Sequence, residues 1–406
     1  MDHQTLVVTG GVDTHKATHV AAVVDPTGRL LATQSFPATP TGYTRMAAWM
    51  NSFGLVDRIG IEGTGSYGAG LARHFTNTGI RVVEVNRTNR QTRRAHGKND
   101  TIDAVAAARA ALSGQATTTP KTRDGIVESI RVIRIAFRSA RDTRATIGIQ
   151  IRDLIMCGPD ELRVALEALT TSQQADKAAR FRPGPITDPV EATRAALRSL
   201  ARRYQTLTTE IGQLRTQLDQ LTMQANPTLR AVHGVGIDVA SILLIAAGDN
   251  PQRFTSDNAF AALCGAAPIE ASSGNTTRHR LNRGGNRQAN HALWRIALVR
   301  LSHDPRTKAY AQRRRTEGKT KKETVRCLKR HIAREIYHVL TNPNPTTIPN
   351  TSDLRPTRQQ AGITLTTAAK ALGTYPARLS DLERGTRHNP TLEHNYRTWL
   401  TNQTTT

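Results

Sequence analysis

Cysteine is scarce in this chain. Its three cysteines, Cys157, Cys264 and Cys327, lie far apart, with no CxxC pair and no histidine at ligand spacing. That excludes a disulfide framework and a thiolate zinc site, and leaves all three as small core residues. No run of about 18 apolar residues occurs, so no membrane-spanning helix is expected. The first residues lack the charged-then-apolar pattern of a signal peptide, which makes the cytoplasm, in association with the nucleoid, the expected location. No basic amphipathic helix with bulky apolar residues suggests a lipid surface as partner. Acid is also in short supply: 32 Asp and Glu stand against 56 Lys and Arg, a formal net charge of +24. Such an excess concentrates polyanions around the molecule, so nucleic acid is the default partner. The 406 residues allow two or three domains, each with its own core.

Three short apolar runs open the chain, Leu6 to Asp13, Thr18 to Val24 and Leu30 to Phe36. Asp25-Pro26-Thr27-Gly28 between the last two suits a type I turn, so the three read as an antiparallel meander. A helix (Thr41 to Phe53), a strand (Arg58 to Glu62), a helix (Tyr67 to Thr78), a strand (Arg81 to Val85) and a helix from about Thr101 follow. This order makes a mixed sheet flanked by helices. On it, Asp13 ends the first strand and Glu62 the fourth, so both emerge at one end of the sheet. Asp100 and Asp103, three apart at a helix start, share a face and can point at those strand ends. Alone, each acid is as well explained as a turn residue, a solvated strand end or a helix cap. Together they form a cluster whose mutual repulsion a divalent cation relieves, Mg²⁺ or Mn²⁺. Two such ions could activate the attacking oxygen and stabilise the leaving one in phosphodiester cleavage.

Gly11-Val12-Asp13-Thr14-His15-Lys16, Ile61-Glu62-Gly63-Thr64-Gly65-Ser66-Tyr67 and Lys98-Asn99-Asp100-Thr101-Ile102-Asp103-Ala104 resemble, in order and spacing, the three acidic motifs of the DEDD transposases of the insertion sequence 110 family. The resemblance implies a ribonuclease-H-like, RuvC-like N-terminal domain. It departs from the family at Asn86-Arg87, where Asn-Pro is usual. Lys16, with His15, is a candidate phosphate contact or a plain surface pair.

The middle of the chain reads as long helices. Ile126, Ile130, Ile133, Phe137, Ala140, Ile147, Ile151 and Leu154 form one seam. Asp188-Pro189-Val190-Glu191 offers an N-cap, a first-turn proline and a capping-box glutamate. The second helix then carries the seam Leu197, Leu200, Tyr204, Leu207, Ile211, Leu214, Leu218 and Leu221 up to Asn226-Pro227. Two such seams pair as an antiparallel hairpin or across a dimer. The resemblance implies a dimer-forming coiled coil and favours pairing between copies.

From Leu229 to Asp249 a helix, a Gly234-Val235-Gly236 turn and a second helix give a helix-hairpin-helix pattern. Gly234 and Gly236 would let backbone N–H groups approach a phosphate; an ordinary helical hairpin is the alternative. Beyond Cys264-Gly265-Ala266-Ala267-Pro268, the loop Ala271-Ser272-Ser273-Gly274-Asn275 leads into Arg278, Arg280, Arg283 and Arg287. Hydroxyls ringed by guanidinium groups suit a nucleophile attacking a phosphodiester, and equally suit a flexible basic loop. Gly265, Pro268, Ser273-Gly274 and Gly285-Asn286-Arg287 resemble the second domain of the same family, in which the serine before glycine becomes covalently linked to DNA. The resemblance assigns that role to Ser273, with Ser272 the adjacent rival, and implies an active site composed jointly with the carboxylates. Arg313, Arg314, Arg315, Lys321 and Lys322 belong to a basic stretch whose apolar residues Val325, Leu328, Ile332 and Ile336 mark a core face, leaving the cations for phosphates.

After the linker-like Asn342-Pro343-Asn344-Pro345, three short helices are expected at Leu354 to Ala361, Leu365 to Leu372 and Pro376 to Arg384. Leu365 to Gly373 followed by Leu379 to Gly385 resembles the helix-turn-helix of Cro and lambda-repressor-like proteins, an extension to the family pattern. The expected division is thus 1–120, a RuvC-like catalytic domain; 121–226, a coiled-coil region; 227–341, a transposase domain with the helix-hairpin-helix and the serine; 342–350, a linker; and 351–406, a helix-turn-helix domain. The family resemblance implies an insertion-sequence transposase or recombinase that cuts and rejoins DNA. Implied partners are element and target DNA, a structured guide RNA, and a second copy in a homodimer or tetramer. The alternatives are a RuvC-like nuclease that hydrolyses branched DNA, and a non-catalytic DNA-binding regulator.

Overall fold

The apolar opening of the chain folds as the meander that its three short runs and the turn between the last two predict. In the computed structural model, which describes residues 6–85, 99–276, 279–342, 351, 353–384 and 389–404, strands β1 (Val7–Thr14), β2 (Thr18–Val24) and β3 (Leu30–Pro37) pair antiparallel. The β2–β3 turn closes with Gly28 N donating to Asp25 O at 2.9 Å, while Asp25 Oδ1 accepts from the Thr27 and Arg29 amides. Helix α1 (Pro40–Asn51), capped by Thr39, then carries the chain to β4 (Leu55–Glu62), and α2 (Ala69–Asn77) to β5 (Arg81–Val85). Both β4 and β5 run parallel to β1, giving the order β3-β2-β1-β4-β5. This mixed sheet is consistent with the ribonuclease-H-like expectation.

The two faces of the sheet are packed differently. On one, Val8, Val12, Ile59 and Ile61 meet Met46, Met50, Leu71 and Phe75 in a conventional large-residue core. On the other lies α3 (Asp100–Leu112), whose buried side is Ala104, Ala107, Ala108 and Ala111. Alanine favours helix and projects little, so α3 can press against the strands. Glycine completes the fit: a Cβ on Gly11 would lie 2.2 Å from Ala108 N, and one on Gly60 2.4 Å from Ala107 O. The chain forms two compact units, Met1–Glu128 with Ala247–Ser256, and Ser129–Ala246 with Asp257–Thr406. In the first unit the returning segment is tied down by Asn250 Nδ2 donating to Pro120 O (2.9 Å) and by Asp249 Oδ1 accepting from Val127 N (2.7 Å).

Most of α4 (Ile126–Met156) belongs to the second unit, with α5 (Asp160–Leu166), α6 (Thr171–Ala178) and α7 (Pro189–Ala225). The long helices meet within the chain: Ile147, Ile151 and Ile155 share a core with Leu197 and Ala201, together with α5 and α6. Their sense is antiparallel, since Arg144 lies over the Tyr204 ring while Gly158 faces Thr193. Asp188 caps α7 as expected, but Glu191 does not complete a capping box; its carboxylate accepts from Gly184 N at 2.5 Å and pairs with Arg194. The backbone that loops back before α7 competes successfully for that acid.

Helices α8 (Pro227–Ala231) and α9 (Ile237–Ala247) flank the glycine turn, the first starting two residues earlier than the sequence suggests. Next come α10 (Asp257–Leu263), the two-residue strands β6 (Ile269–Glu270) and β7 (His279–Arg280), and helices α11 (Arg287–His303), α12 (Pro305–Thr316) and α13 (Lys321–Thr341). The basic stretch is therefore two helices, broken where Gly318 takes φ +82° and restarted by a Thr320–Glu323 capping box. At the C-terminus α14 (Leu354–Gln360), α15 (Leu365–Ala371) and α16 (Pro376–Glu383) match the three expected helices, and α17 (Pro390–Thr404) adds a fourth. Tyr396 and Leu400 of α17 complete the core of Leu354, Ala368, Ala369, Leu379 and Leu382. Buried within it, Arg358 pairs with Glu383, which also accepts from Tyr396 OH at 2.7 Å.

Candidate functional site

Parallel pairing of β1 with β4 brings the first two acids to the same end of the sheet. Val12 is registered opposite Ile61, and Asp13 and Glu62 are the next residues on each strand. Side chains alternate along a strand, so Asp13 projects from the same face as Gly11, the face covered by α3. The close approach that Gly11 and Gly60 permit therefore also delivers the N-terminus of α3 to the strand ends. Asn99, and neither aspartate, is the N-cap, accepting from Thr101 N at 3.0 Å. Asp100 and Asp103 therefore stand in the first turn without serving as its cap, where the helix dipole favours their charge.

Three ligand-type atoms converge there. His15 Nε2 lies 3.1 Å from Asp13 Oδ2 and 3.2 Å from Asp100 Oδ2, and one potential donor atom from each of the three residues falls within 4.8 Å of the others. His15 Nε2 is buried and, despite those distances, is aligned as a hydrogen bond to neither carboxylate. An imidazole nitrogen and two carboxylate oxygens gathered this closely are donor types that a divalent cation accepts. Burial pushes the Asp13 carboxyl above its usual range, and the charges of Asp103 and Asp100 push it further, against the pull of His15. A bound divalent ion would remove that penalty. Asp103, 7% exposed, is thus within electrostatic reach of Asp13; Glu62 stands beside Asp13 by register, outside the trio of converging atoms.

The turn after Glu62 is folded tightly onto β1. Thr14 Oγ1 donates to Glu62 O at 2.8 Å, and Ser66 and Gly68 both donate their amides to Gly63 O, at 2.8 and 3.1 Å. Gly63 takes φ +72°, and a Cβ there would come within 2.9 Å of Thr14 Oγ1. These glycines set the backbone path of the acidic motif.

Ser273 lies in the second unit at the tip of a β-hairpin. Ile269 pairs with Arg280, Glu270 with His279, and Ser273 with Thr276. Ser273 and Thr276 exchange both backbone hydrogen bonds at 3.1 Å, and Gly274 begins the two-residue turn with φ +56°. Glycine first in a two-residue hairpin turn is the type II′ preference. Ser272 and Ser273 are both exposed on this projection. Behind it, the Cys264-Gly265 turn is clasped to the start of α11: Asn286 N donates to Leu263 O at 2.6 Å, Asn290 Nδ2 to Cys264 O at 2.8 Å, and Lys329 Nζ to Asn290 Oδ1 at 2.9 Å.

Among the basic candidates, Lys16, Arg280, Arg283, Arg287, Arg313, Arg315, Lys321 and Lys322 are exposed. Arg314 is turned inward, paired with Glu317 and reaching Cys327 Sγ and the Tyr310 ring. Arg278 lies outside the described residues, as do Asn86, Arg87 and Lys98 of the first unit. Gly234 adopts φ +90° against Ile296, whereas Gly236 is exposed and a Cβ on it would meet nothing. The sequence did not single out His15 as a member of the acidic cluster, nor Asp238, whose carboxylate receives Arg134 and Arg295; although burial opposes it, those guanidinium groups hold its pKa below the usual range.

Comparison with known proteins places this geometry. A DEDD transposase model of IS110 type, described as transposase, matches residues 10–155, which contain all four acids. A second model, described as transposase of the IS116/IS110/IS902 family, matches residues 226–312, which contain the hairpin. The chain belongs to the IS110 family of transposases. Similar relatives of this IS110-family protein include the 43.6 kDa protein of insertion element IS110 from Streptomyces coelicolor, 32% identical over 116 residues, 28% of each chain. The 42 kDa protein of insertion element IS900 from Mycobacterium paratuberculosis is 27% identical over 156 residues, 36% of this chain and 39% of the relative. The chain thus spans well under half the length of either relative. No helix among the described residues is long and apolar enough to cross a membrane.

Proposed function

We propose that this IS110-family protein is a DNA transposase or recombinase of a bacterial insertion sequence, cutting and rejoining DNA strands during excision and insertion. The observation that carries the reading is the convergence of Asp13, His15 and Asp100, beside Asp103 and Glu62, at the end of a ribonuclease-H-like sheet. Asp13, Glu62, Asp100 and Asp103 are the proposed metal-binding carboxylates, with His15 a further donor. A divalent cation there, Mg²⁺ or Mn²⁺, would supply electrostatic stabilisation of the charge that develops on phosphodiester oxygens. The turn at Gly63 and the cap at Asn99 hold the acids in place without spending their oxygens on caps.

Ser273 is the proposed nucleophile. Its Oγ would form a bond to phosphorus as the P–O bond to the adjacent deoxyribose breaks, the departing oxygen taking up the proton; attack by another strand's hydroxyl would return Ser273 and rejoin DNA. Its exposed place on a hairpin tip, with Arg280 and Arg283 close in sequence, supports this role, since guanidinium groups stabilise added negative charge. Lys16, Gly234, Gly236, Arg278, Arg287, Arg313, Arg315, Lys321 and Lys322 are proposed phosphate contacts, on DNA and on a structured guide RNA. Homodimer or tetramer formation through the half-buried Ile211 and Leu214 of α7 belongs to the same reading.

The test is a duplex carrying the element ends, incubated with Mg²⁺ and analysed under denaturing conditions. The wild type should yield cut strands and a protein–DNA adduct; Asp13→Ala should lose both, and Ser273→Ala should lose the adduct and recombination. Cleavage that survives Ser273→Ala without an adduct would instead identify a hydrolytic nuclease, and indifference to both changes a binding protein. An adduct lost only with Ser272→Ala would move the nucleophile by one residue. Absence of element-derived RNA co-purifying with the protein would remove the guide.

A further inference from the structure

Arg123 breaks a backbone rule that the other described residues keep. It is the one non-glycine position among them with positive φ, at +56°. This region crowds a Cβ, so a side chain is held there only where the surroundings fix the backbone on both sides. They do: Glu84 N donates to Thr118 O (2.7 Å), Arg253 Nη1 reaches Thr119 O, Asn250 Nδ2 holds Pro120 O, and Asp249 holds Val127 N. The result is that the Arg123 guanidinium is laid over the acidic turn. Its Nη2 stands 3.5 Å from where a Cβ on Gly65 would lie, three residues after Glu62. Among the described residues no carboxylate forms an ion pair with Arg123. Two further cations stand near: Lys121, half-buried, and Arg253. Burial, then Arg253 and Arg123, push the Lys121 ammonium down to about 8, with Glu84 and Glu128 opposing.

We infer that Arg123 is a phosphate-positioning residue, whose guanidinium fork takes the non-bridging oxygens of a DNA phosphate next to the bond cut at the acidic cluster. The inference rests on the DNA-cutting reading above. A planar fork of donors matches two oxygens of one phosphate, which a point charge does not. Carboxylates that gather a cation repel the strand itself, so a fixed positive group beside them supplies the missing attraction. Energy stored in a disfavoured backbone conformation is accounted for if it aims that group.

Arg123→Gly and Arg123→Lys in the full chain, with Mn²⁺ or Mg²⁺ present, test this. Glycine suits φ +56°, so Arg123→Gly should melt at or above the wild-type temperature. It should nevertheless cut DNA at least about tenfold more slowly, and the slope of log affinity for duplex DNA against log salt should fall by about 0.9, one phosphate contact. Arg123→Lys, which keeps the charge, should recover part of the binding. The inference is overturned if Arg123→Gly lowers the melting temperature and activity together, if rate and salt slope stay at wild-type values, or if only RNA binding weakens. A wild-type protein that cuts no DNA would overturn the functional reading itself, a result distinct from an unaffected variant.

Discussion

At the scale of single residues, the site depends as much on what is missing as on the acids. Gly11 lacks a Cβ where α3 passes, and any side chain would push the helix bearing Asp100 and Asp103 away from Asp13. Gly11→Ala should therefore cost about 1–3 kcal/mol or more in thermal unfolding and weaken metal binding as well. A variant as stable as wild type with unchanged metal affinity would show that α3 does not need this contact. Asp13 and Glu62 were legible in the sequence because strands have a fixed alternation and both acids end apolar runs. His15 was not, because it sits in the β1–β2 turn, where its amide donates to Thr18 O and side-chain direction follows turn geometry instead of strand period. His19 is fully buried and stacked on Tyr43, and burial pushes its pKa below the ordinary value of about 6.5. The sign follows: the unfolded chain binds the proton more tightly, so the stability His19 allows is present above about pH 6.5 and is lost as pH falls below it. His19→Phe should flatten that acid limb of the stability profile; an unchanged limb would place the titration elsewhere.

Individual elements show where pattern reading works and where it fails. The five strands and α1 to α3 were legible because each has a clear period and a turn or cap at its end. The β6–β7 hairpin was not, since two-residue strands carry no alternation; the sequence showed only a basic loop. The break between α12 and α13 turns on one left-handed glycine, Gly318, inside an otherwise helical basic run. Helix α17 escaped notice because its core residues, Tyr396 and Leu400, find partners only in tertiary structure. The cap of α3 gives an element-scale prediction. Asn99→Ala should cost about 1 kcal/mol and, by fraying the first turn, lower metal affinity, whereas Asn99→Asp or Asn99→Ser should preserve both. Equal metal affinity in Asn99→Ala would separate helix fraying from the site. In the hairpin, Gly274→Val places a β-branched residue at φ +56° and should abolish adduct formation while leaving the melting temperature of the exposed tip's parent unit nearly unchanged.

For the molecule as a whole, the dominant fact is charge. With 56 basic against 32 acidic residues, affinity for DNA should fall steeply and linearly in log–log form as salt rises. Each exposed arginine or lysine of the α12–α13 stretch that is replaced should reduce that slope by about 0.9 if it meets a duplex phosphate. Amid this excess of base, acids gathered in one place are conspicuous, and the account stands on their holding a cation. The direct measurement is Mn²⁺ titration followed by electron paramagnetic resonance, on the wild type and on Asp13→Asn and Asp100→Asn. Saturable Mn²⁺ binding is expected, which either substitution abolishes or weakens at least about tenfold while the fold persists. Wild-type protein that leaves Mn²⁺ free in solution, or variants that bind it as tightly as wild type, would contradict it.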